Sequence, residues 1–128
     1  MPTNFPAVTG QVVTADFANQ LVAFSVTQET GVTYTIDNDD LYQVFIQLSN
    51  AGTKTVTIPP DSTLTAAVVG SAVTFCNTGA GLATFSAGAG VTITSAGTVS
   101  AAPTLSQHKV CQAVRVAANT YRIFGAIA

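Results

Sequence analysis

Charge is what this sequence has least of. Four basic and six acidic residues among 128 amount to 8%, about a third of the ~25% usual in soluble domains. The four cations, Lys54, Lys109, Arg115 and Arg122, form no run, so the clustered positive surface that nucleic acid needs to neutralise its phosphates is lacking. Long apolar runs are lacking too. Thr, Gly and Ser interrupt every apolar stretch well short of the ~18–20 residues that a membrane-spanning helix requires. The opening Met1-Pro2-Thr3-Asn4-Phe5-Pro6 carries no basic region leading into an apolar one, and no Sec-type export signal is expected from it. Tryptophan is absent, and the sequence holds one histidine and two cysteines. His108, Cys76 and Cys111 fall short of four transition-metal ligands and have no CxxC or HxxxH spacing. Cys76 and Cys111 are expected to be buried, reduced thiols, with a disulfide left open because it depends on the distance between their Cα atoms.

What is present is apolar and small. Hydrophobic residues make up 48%, so the surface must be built largely from Thr, Ser, Asn, Gln and small apolar side chains. A freely circulating monomer relies on charge to stay apart from its neighbours. Part of this surface is therefore expected to be buried in an assembly. The length suits one domain, or a small domain with an arm.

Residues 1–31 read as an extended N-terminal arm or anchoring segment. Pro2 and Pro6 deny regular structure at its start, and Phe5, Val8, Phe17, Leu21, Val22 and Phe24 are its apolar anchors. A short helix around Asp16–Leu21 is the one helical expectation. From residue 32 to 128 the signal is β. Val32-Thr33-Tyr34-Thr35-Ile36 alternates with period two, and Asp37-Asn38-Asp39-Asp40 breaks it as a turn. Leu41–Leu48 follows, with Tyr42, Val44, Ile46 and Leu48 on one face and Phe45 on the other. Asn50-Ala51-Gly52 reads as a hairpin-type break. Thr53–Ile58 ends at Pro59-Pro60, since proline cannot donate to a strand ladder. Further strands are expected at Thr63–Val69, Ala72–Asn77, Ala83–Ser86, Val91–Thr94, Lys109–Val116 and Tyr121–Gly125. Short strands and turn signals at this density predict an all-β fold, a small β-sandwich or barrel-like domain.

Chemistry-bearing combinations each meet a simpler reading. A Cys–His pair would need His108, but His108 and Cys111 are three residues apart, and on one strand their side chains would point to opposite faces. Asp37, Asp39 and Asp40 could attract a hard cation, yet they lack the glycine and distal glutamate of a calcium loop, and Asp and Asn are favoured in turns for local reasons. Gly79-Ala80-Gly81 and Gly88-Ala89-Gly90 precede no helix and contain no lysine, so they read as tight turns rather than phosphate cradles. Threonine pairs (Thr33/Thr35, Thr53/Thr55/Thr57, Thr63/Thr65, Thr92/Thr94) raise an ice-binding reading. Their irregular spacing favours ordinary solvated strand faces, for which β-branched threonine is well suited. No catalytic, cofactor-binding or metal-ligating residue is assigned, and the chain is expected not to be an enzyme.

From about Val32 onward the chain resembles a domain that recurs in tailed-bacteriophage virion proteins, including head decoration or head-fibre proteins and tail-fibre modules. The resemblance rests on Thr33-Tyr34-Thr35-Ile36, Val56-Thr57-Ile58-Pro59 and Val69-Gly70-Ser71-Ala72-Val73-Thr74-Phe75. It continues through Gly79-Ala80-Gly81-Leu82-Ala83-Thr84-Phe85, Ala87-Gly88-Ala89-Gly90-Val91-Thr92-Ile93 and Tyr121-Arg122-Ile123-Phe124-Gly125. Tyr121 stands where many relatives have Trp, and Cys76 where an aliphatic or polar residue is more usual. The resemblance implies a β-rich virion component, usually oligomeric and often trimeric; no cofactor is expected. It points to a capsid decoration, cement or head-fibre protein that binds the major capsid protein and stabilises the phage head. A tail-fibre or receptor-binding module that attaches to the host surface is the alternative. The expected place is the capsid surface of the virion, after assembly in the host cytoplasm, with no nucleic-acid or membrane partner.

Overall fold

A computed structural model describes residues 24–42, 44–95 and 102–128. The described residues form ten strands: β1 (Ser25–Glu29), β2 (Thr33–Thr35), β3 (Val44–Leu48), β4 (Lys54–Ile58), β5 (Ala72–Asn77), β6 (Ala83–Ala87), β7 (Thr92–Ser95), β8 (Thr104–Leu105), β9 (Val110–Ala117) and β10 (Thr120–Gly125). One sheet has six strands in the order β1-β3-β5-β9-β10-β7, the other four in the order β2-β4-β6-β8. The fold is all-β with two packed sheets, as the density of strands and turns predicts.

The connectivity is a winding rather than a series of hairpins. Successive strands from β1 to β6 alternate between the sheets, and β1, β2, β3 and β4 each pair in parallel with the strand two places on. Residues 25–87 thus make three stacked coils, the quasi-one-dimensional arrangement of a solenoid. The hairpin of β9 and β10 then adds to the larger sheet antiparallel to β5, and β7 lies beyond it, parallel to β10.

Period-two alternation sets which side chains meet between the sheets. Val44, Ile46 and Leu48 of β3, Val73 and Phe75 of β5, Cys111 and Ala113 of β9 and Tyr121 and Ile123 of β10 are buried from one side. Val56 and Ile58, Ala83 and Phe85, and Leu105 are buried from the other. The Phe75 and Phe85 rings meet edge to face across the core, with centroids 5.0 Å apart. Tyr42, expected on one face with Val44, Ile46 and Leu48, is 51% exposed, and Val110 at the start of β9 is 43% exposed.

Four segments depart from expectation. The strand expected over Leu41–Leu48 begins at Val44, because Leu41 closes the 3-10 turn Asn38–Leu41. Asn50-Ala51-Gly52 joins β3 to β4, which lie in different sheets, so it is a coil corner rather than a hairpin. Thr63–Val69 is not a strand. The Thr63 and Leu64 N–H groups both donate to Pro60 O and Ala67 N–H donates to Leu64 O, so local turns occupy the groups a ladder would need, while Leu64 is buried at 1% exposure. Ser25–Glu29, read as arm, is an edge strand paired with β3. The helix expected around Asp16–Leu21 lies outside the described residues.

The coils stack at very short range where glycines sit. Gly79 and Gly81 lie directly on the preceding corner: Gly79 N–H donates to Leu48 O and Gly81 N–H to Asn50 O. A Cβ on either residue would overlap the Asn50–Gly52 backbone. The reading of this segment as a tight turn needing a missing Cβ is met by that contact.

A second clip joins distant segments. Asp61 Oδ2 accepts from Arg115 Nη2 at 2.7 Å and Oδ1 from Arg115 Nε at 3.2 Å. The Asn119 N–H donates to Asp61 Oδ2, and Asn119 Oδ1 accepts from the Asp61 N–H. The hydrogen bonds from Arg115 hold the Asp61 carboxyl below its ordinary range, with the Asn119 N–H adding to them. A carboxylate lowered in the folded state contributes stability that is present above its unfolded value of about 3.9 and lost as pH falls through the folded value. The melting temperature of wild type should therefore exceed that of Asp61→Asn at pH 7, and the gap should close as pH falls below about 4. Asp40, whose carboxyl is raised by burial, titrates in both proteins and cancels in the difference. A gap independent of pH would refute the clip's ionic part.

Candidate binding surface

The charge deficit has a spatial form. Lys54 is buried, and its ammonium donates to Glu29 O at 3.2 Å and to Gly31 O, tying β4 to the first corner; burial lowers its pKa. Asp61 and Arg115 are spent on each other. Asp37, Asp39 and Asp40 lie at a corner with the 3-10 turn Asn38–Leu41. Among the described charged residues, only Arg122 projects from the outer face of either sheet.

On the six-stranded sheet, the strand register aligns the outward residues in rows. Val26, Phe45, Thr74, Gln112 and Phe124 form one row, and Gln28, Gln47, Cys76 and Val110 the next. Ala72, Val114, Arg122 and Thr94 form a third. Gln112 Nε2 donates to Thr74 Oγ1 at 3.2 Å, and the Phe24 ring packs against Phe45 with centroids 6.3 Å apart. Phe24, Val26, Val110 and Phe124 remain 54%, 66%, 43% and 39% exposed. An open groove lined by Thr74, Val110, Cys111, Gln112, Phe124 and Gly125 crosses this face.

On the four-stranded sheet the rows are hydroxyls. Thr33, Thr55, Thr84 and Thr104 align across all four strands, and Thr35, Thr57 and Ser86 across three.

The groups that could carry chemistry are dispersed. Phe75 pairs with Cys111 and Cys76 with Val110, so the two thiols point to opposite faces, and both are free. Burial, with a smaller contribution from Cys76, pushes the Cys111 thiol up to about 12, the reverse of what activates a nucleophile. His108 lies in an exposed turn at φ 64°, its N–H donating to Asn77 O, rather than on the strand with Cys111.

The aspartates are engaged locally. Asp37 Oδ1 accepts from the Asp39 N–H at 2.9 Å, and Asp40 Oδ2 accepts from the Asp37 N–H at 3.0 Å and from the Tyr34 hydroxyl. Desolvation, with the Asp40 bond, raises the Tyr34 phenol far above its ordinary value. These carboxylates build a capping box, and the described residues contain no cluster of three or more metal-ligating side chains. The two neutral faces were foreshadowed by the scarcity of charge and, on the smaller sheet, by threonine pairs; their alignment depends on cross-strand neighbours. No protein-family model matches the chain, and no curated protein or solved structure matches it.

Proposed function

We propose that this chain is a structural protein of a phage virion, a capsid decoration, cement or head-fibre protein that binds the major capsid protein through the outer face of its six-stranded sheet. The observation that carries this reading is that face itself: exposed Phe24, Val26, Val110 and Phe124 around neutral Gln and Thr, with Arg122 as its only cation. The centres of protein interfaces are depleted in charge and enriched in aromatics, and contiguous exposed apolar patches mark interaction sites. The same neutrality lets copies of the chain meet one another without repulsion, as a homotrimer requires. Binding only to the assembled shell would stabilise the shell by mass action, and many copies would compound weak contacts.

Antibody against the chain, applied to purified virions, should label heads. Labelling confined to tails would overturn the decoration reading in favour of a tail-fibre or receptor-binding module. Phe124→Glu with Val110→Glu should fold, since both side chains are exposed, yet bury two unpaired carboxylates on docking. A loss of about 3 kcal/mol, roughly a hundredfold in affinity, should empty the particles in a quantitative gel of purified heads. Full occupancy would remove this face from the interface.

A further inference from the structure

The second neutral face differs in kind. Its outward side chains are almost all hydroxyls: Thr33, Thr35, Thr55, Thr57, Thr84 and Ser86 on β2, β4 and β6, with Thr104 on β8. The sequence intervals are unequal, 22 residues from Thr33 to Thr55 and 29 from Thr55 to Thr84, which argues against a regular array in one dimension. The structure removes that objection. The longer coil takes up its extra residues in the turns of Thr63–Val69, and the strands still pair residue for residue. Irregular spacing in the chain becomes a regular lattice in space.

The lattice is held from behind. Tyr34, Val56 and Phe85, the residues between the hydroxyl-bearing ones, align across the same strands. Val56 and Phe85 are fully buried, and the Tyr34 hydroxyl donates to Asp40. Threonine is β-branched and restricted at χ1, so fixing the backbone largely fixes each hydroxyl and methyl. Neighbouring hydroxyls should lie ~4.8 Å apart across strands and ~6.6 Å apart along them. Among the described residues, the hydroxyls of Thr33, Thr35, Thr55, Thr57, Thr84 and Ser86 have no hydrogen-bond partner in the protein, and the face carries no charge.

We propose that this Thr/Ser lattice binds the surface of ice. A ligand matched to the face must itself repeat in two dimensions, offer hydrogen-bonding oxygens at such spacings, and need neither ions nor aromatic platforms. Ice meets all three conditions, because its surface planes repeat oxygens over distances of this size. Protein partners are held mainly by aromatic or arginine anchors, single-stranded nucleic acid by cations and stacking rings, and this face has none of these. The methyl of each threonine excludes liquid water from its immediate neighbourhood while the hydroxyl joins the ordered layer, so both groups on Cβ contribute.

The test is ice affinity of the purified full chain. As ice grows slowly from solution, wild type should be incorporated into the ice and should inhibit recrystallisation. Thr55→Tyr, which places a ring in the middle of the lattice, should abolish both effects. Thr63→Tyr, exposed in the turns between β4 and β5 and off the lattice, should leave both unchanged. Circular dichroism melts establish that both variants are folded. Exclusion of wild type from ice to the level of an inert protein would overturn the proposal, as would unchanged ice affinity in Thr55→Tyr. A wild-type dimer in sedimentation that Thr55→Tyr dissociates would also overturn it, since a second copy would then cover the face. None of these readouts depends on docking to a capsid.

Discussion

Gly81→Ala should lower the stability of the chain sharply. A Cβ at this position would lie 1.6 Å from Gly52 O and 2.2 Å from Gly52 C. Both atoms are backbone in the neighbouring coil, so no side chain can rotate out of the way. Relief requires separating the corners, which breaks the Gly81 N–H to Asn50 O bond and strains those from Thr78 and Gly79 to Leu48 O. Overpacking ordinarily costs ~1–3 kcal/mol; with fixed backbone on both sides the upper end applies, and a loss of about 3 kcal/mol would lower the melting temperature by on the order of 10 °C. Gly90→Ala is the informative control. Gly90 has φ +78° but open space around its Cβ position, so it should cost only ~1 kcal/mol of backbone strain. Equal melting temperatures for the two variants would show that the coils are not stacked as described.

Why the strands were legible and the winding was not follows from what alternation encodes. Ala72–Asn77 could be read from the sequence residue for residue, because apolar and polar side chains alternate across a sheet with one buried face. That pattern is the same whether the neighbouring strand runs parallel or antiparallel. The residues that distinguish the two are at the corners, and Asn50 and Gly52 suit a hairpin turn as well as a passage between sheets. Here the Asn50 side chain accepts from the Gly52 N–H and donates to Thr30 O, a contact with the preceding corner that local sequence does not reveal. Thr63–Val69 has strand-like composition, but Pro60 O draws two of its N–H groups into turns. At two residues, β8 is too short to show a period.

The two neutral sheet faces were legible as a charge total and as isolated threonine pairs. Ten charged residues were countable, but Asp61 and Arg115 find each other across 54 positions, and Lys54 reaches back to Gly31. Those pairings leave Arg122 as the one charge on the described sheet faces. Likewise, the threonine pairs were visible as pairs, whereas their alignment into rows depends on loop lengths that only the folded chain reconciles.

Asn77→Asp should be at least as damaging as the glycine substitution, and for an electrostatic reason. Asn77 is 2% exposed and uses its whole side chain: Nδ2 donates to Gly81 O and to Leu105 O, each at 2.8 Å, and Oδ1 accepts from the Gly79 N–H at 3.0 Å. It thus joins the end of β5 in one sheet to β8 in the other while shaping the glycine corner. Aspartate has nearly the same shape but replaces the donor with an oxygen facing two carbonyls. Each buried group left unpaired costs ~1–3 kcal/mol, more where charge is involved, so the loss at pH 7 should be about 4 kcal/mol. The remedy is protonation. A neutral carboxyl regains one donor and loses its charge, so the folded state raises the pKa of this group above its unfolded value, and the deficit relative to wild type shrinks as pH falls through the raised value. Asn77→Leu removes the same donors without adding a charge, and its deficit should stay level with pH. Urea unfolding of wild type and both variants at pH 7 and pH 4.5 separates the contributions. If Asn77→Asp matches wild type at pH 7, or tracks Asn77→Leu at both values, the side chain does not hold the two sheets together through these bonds.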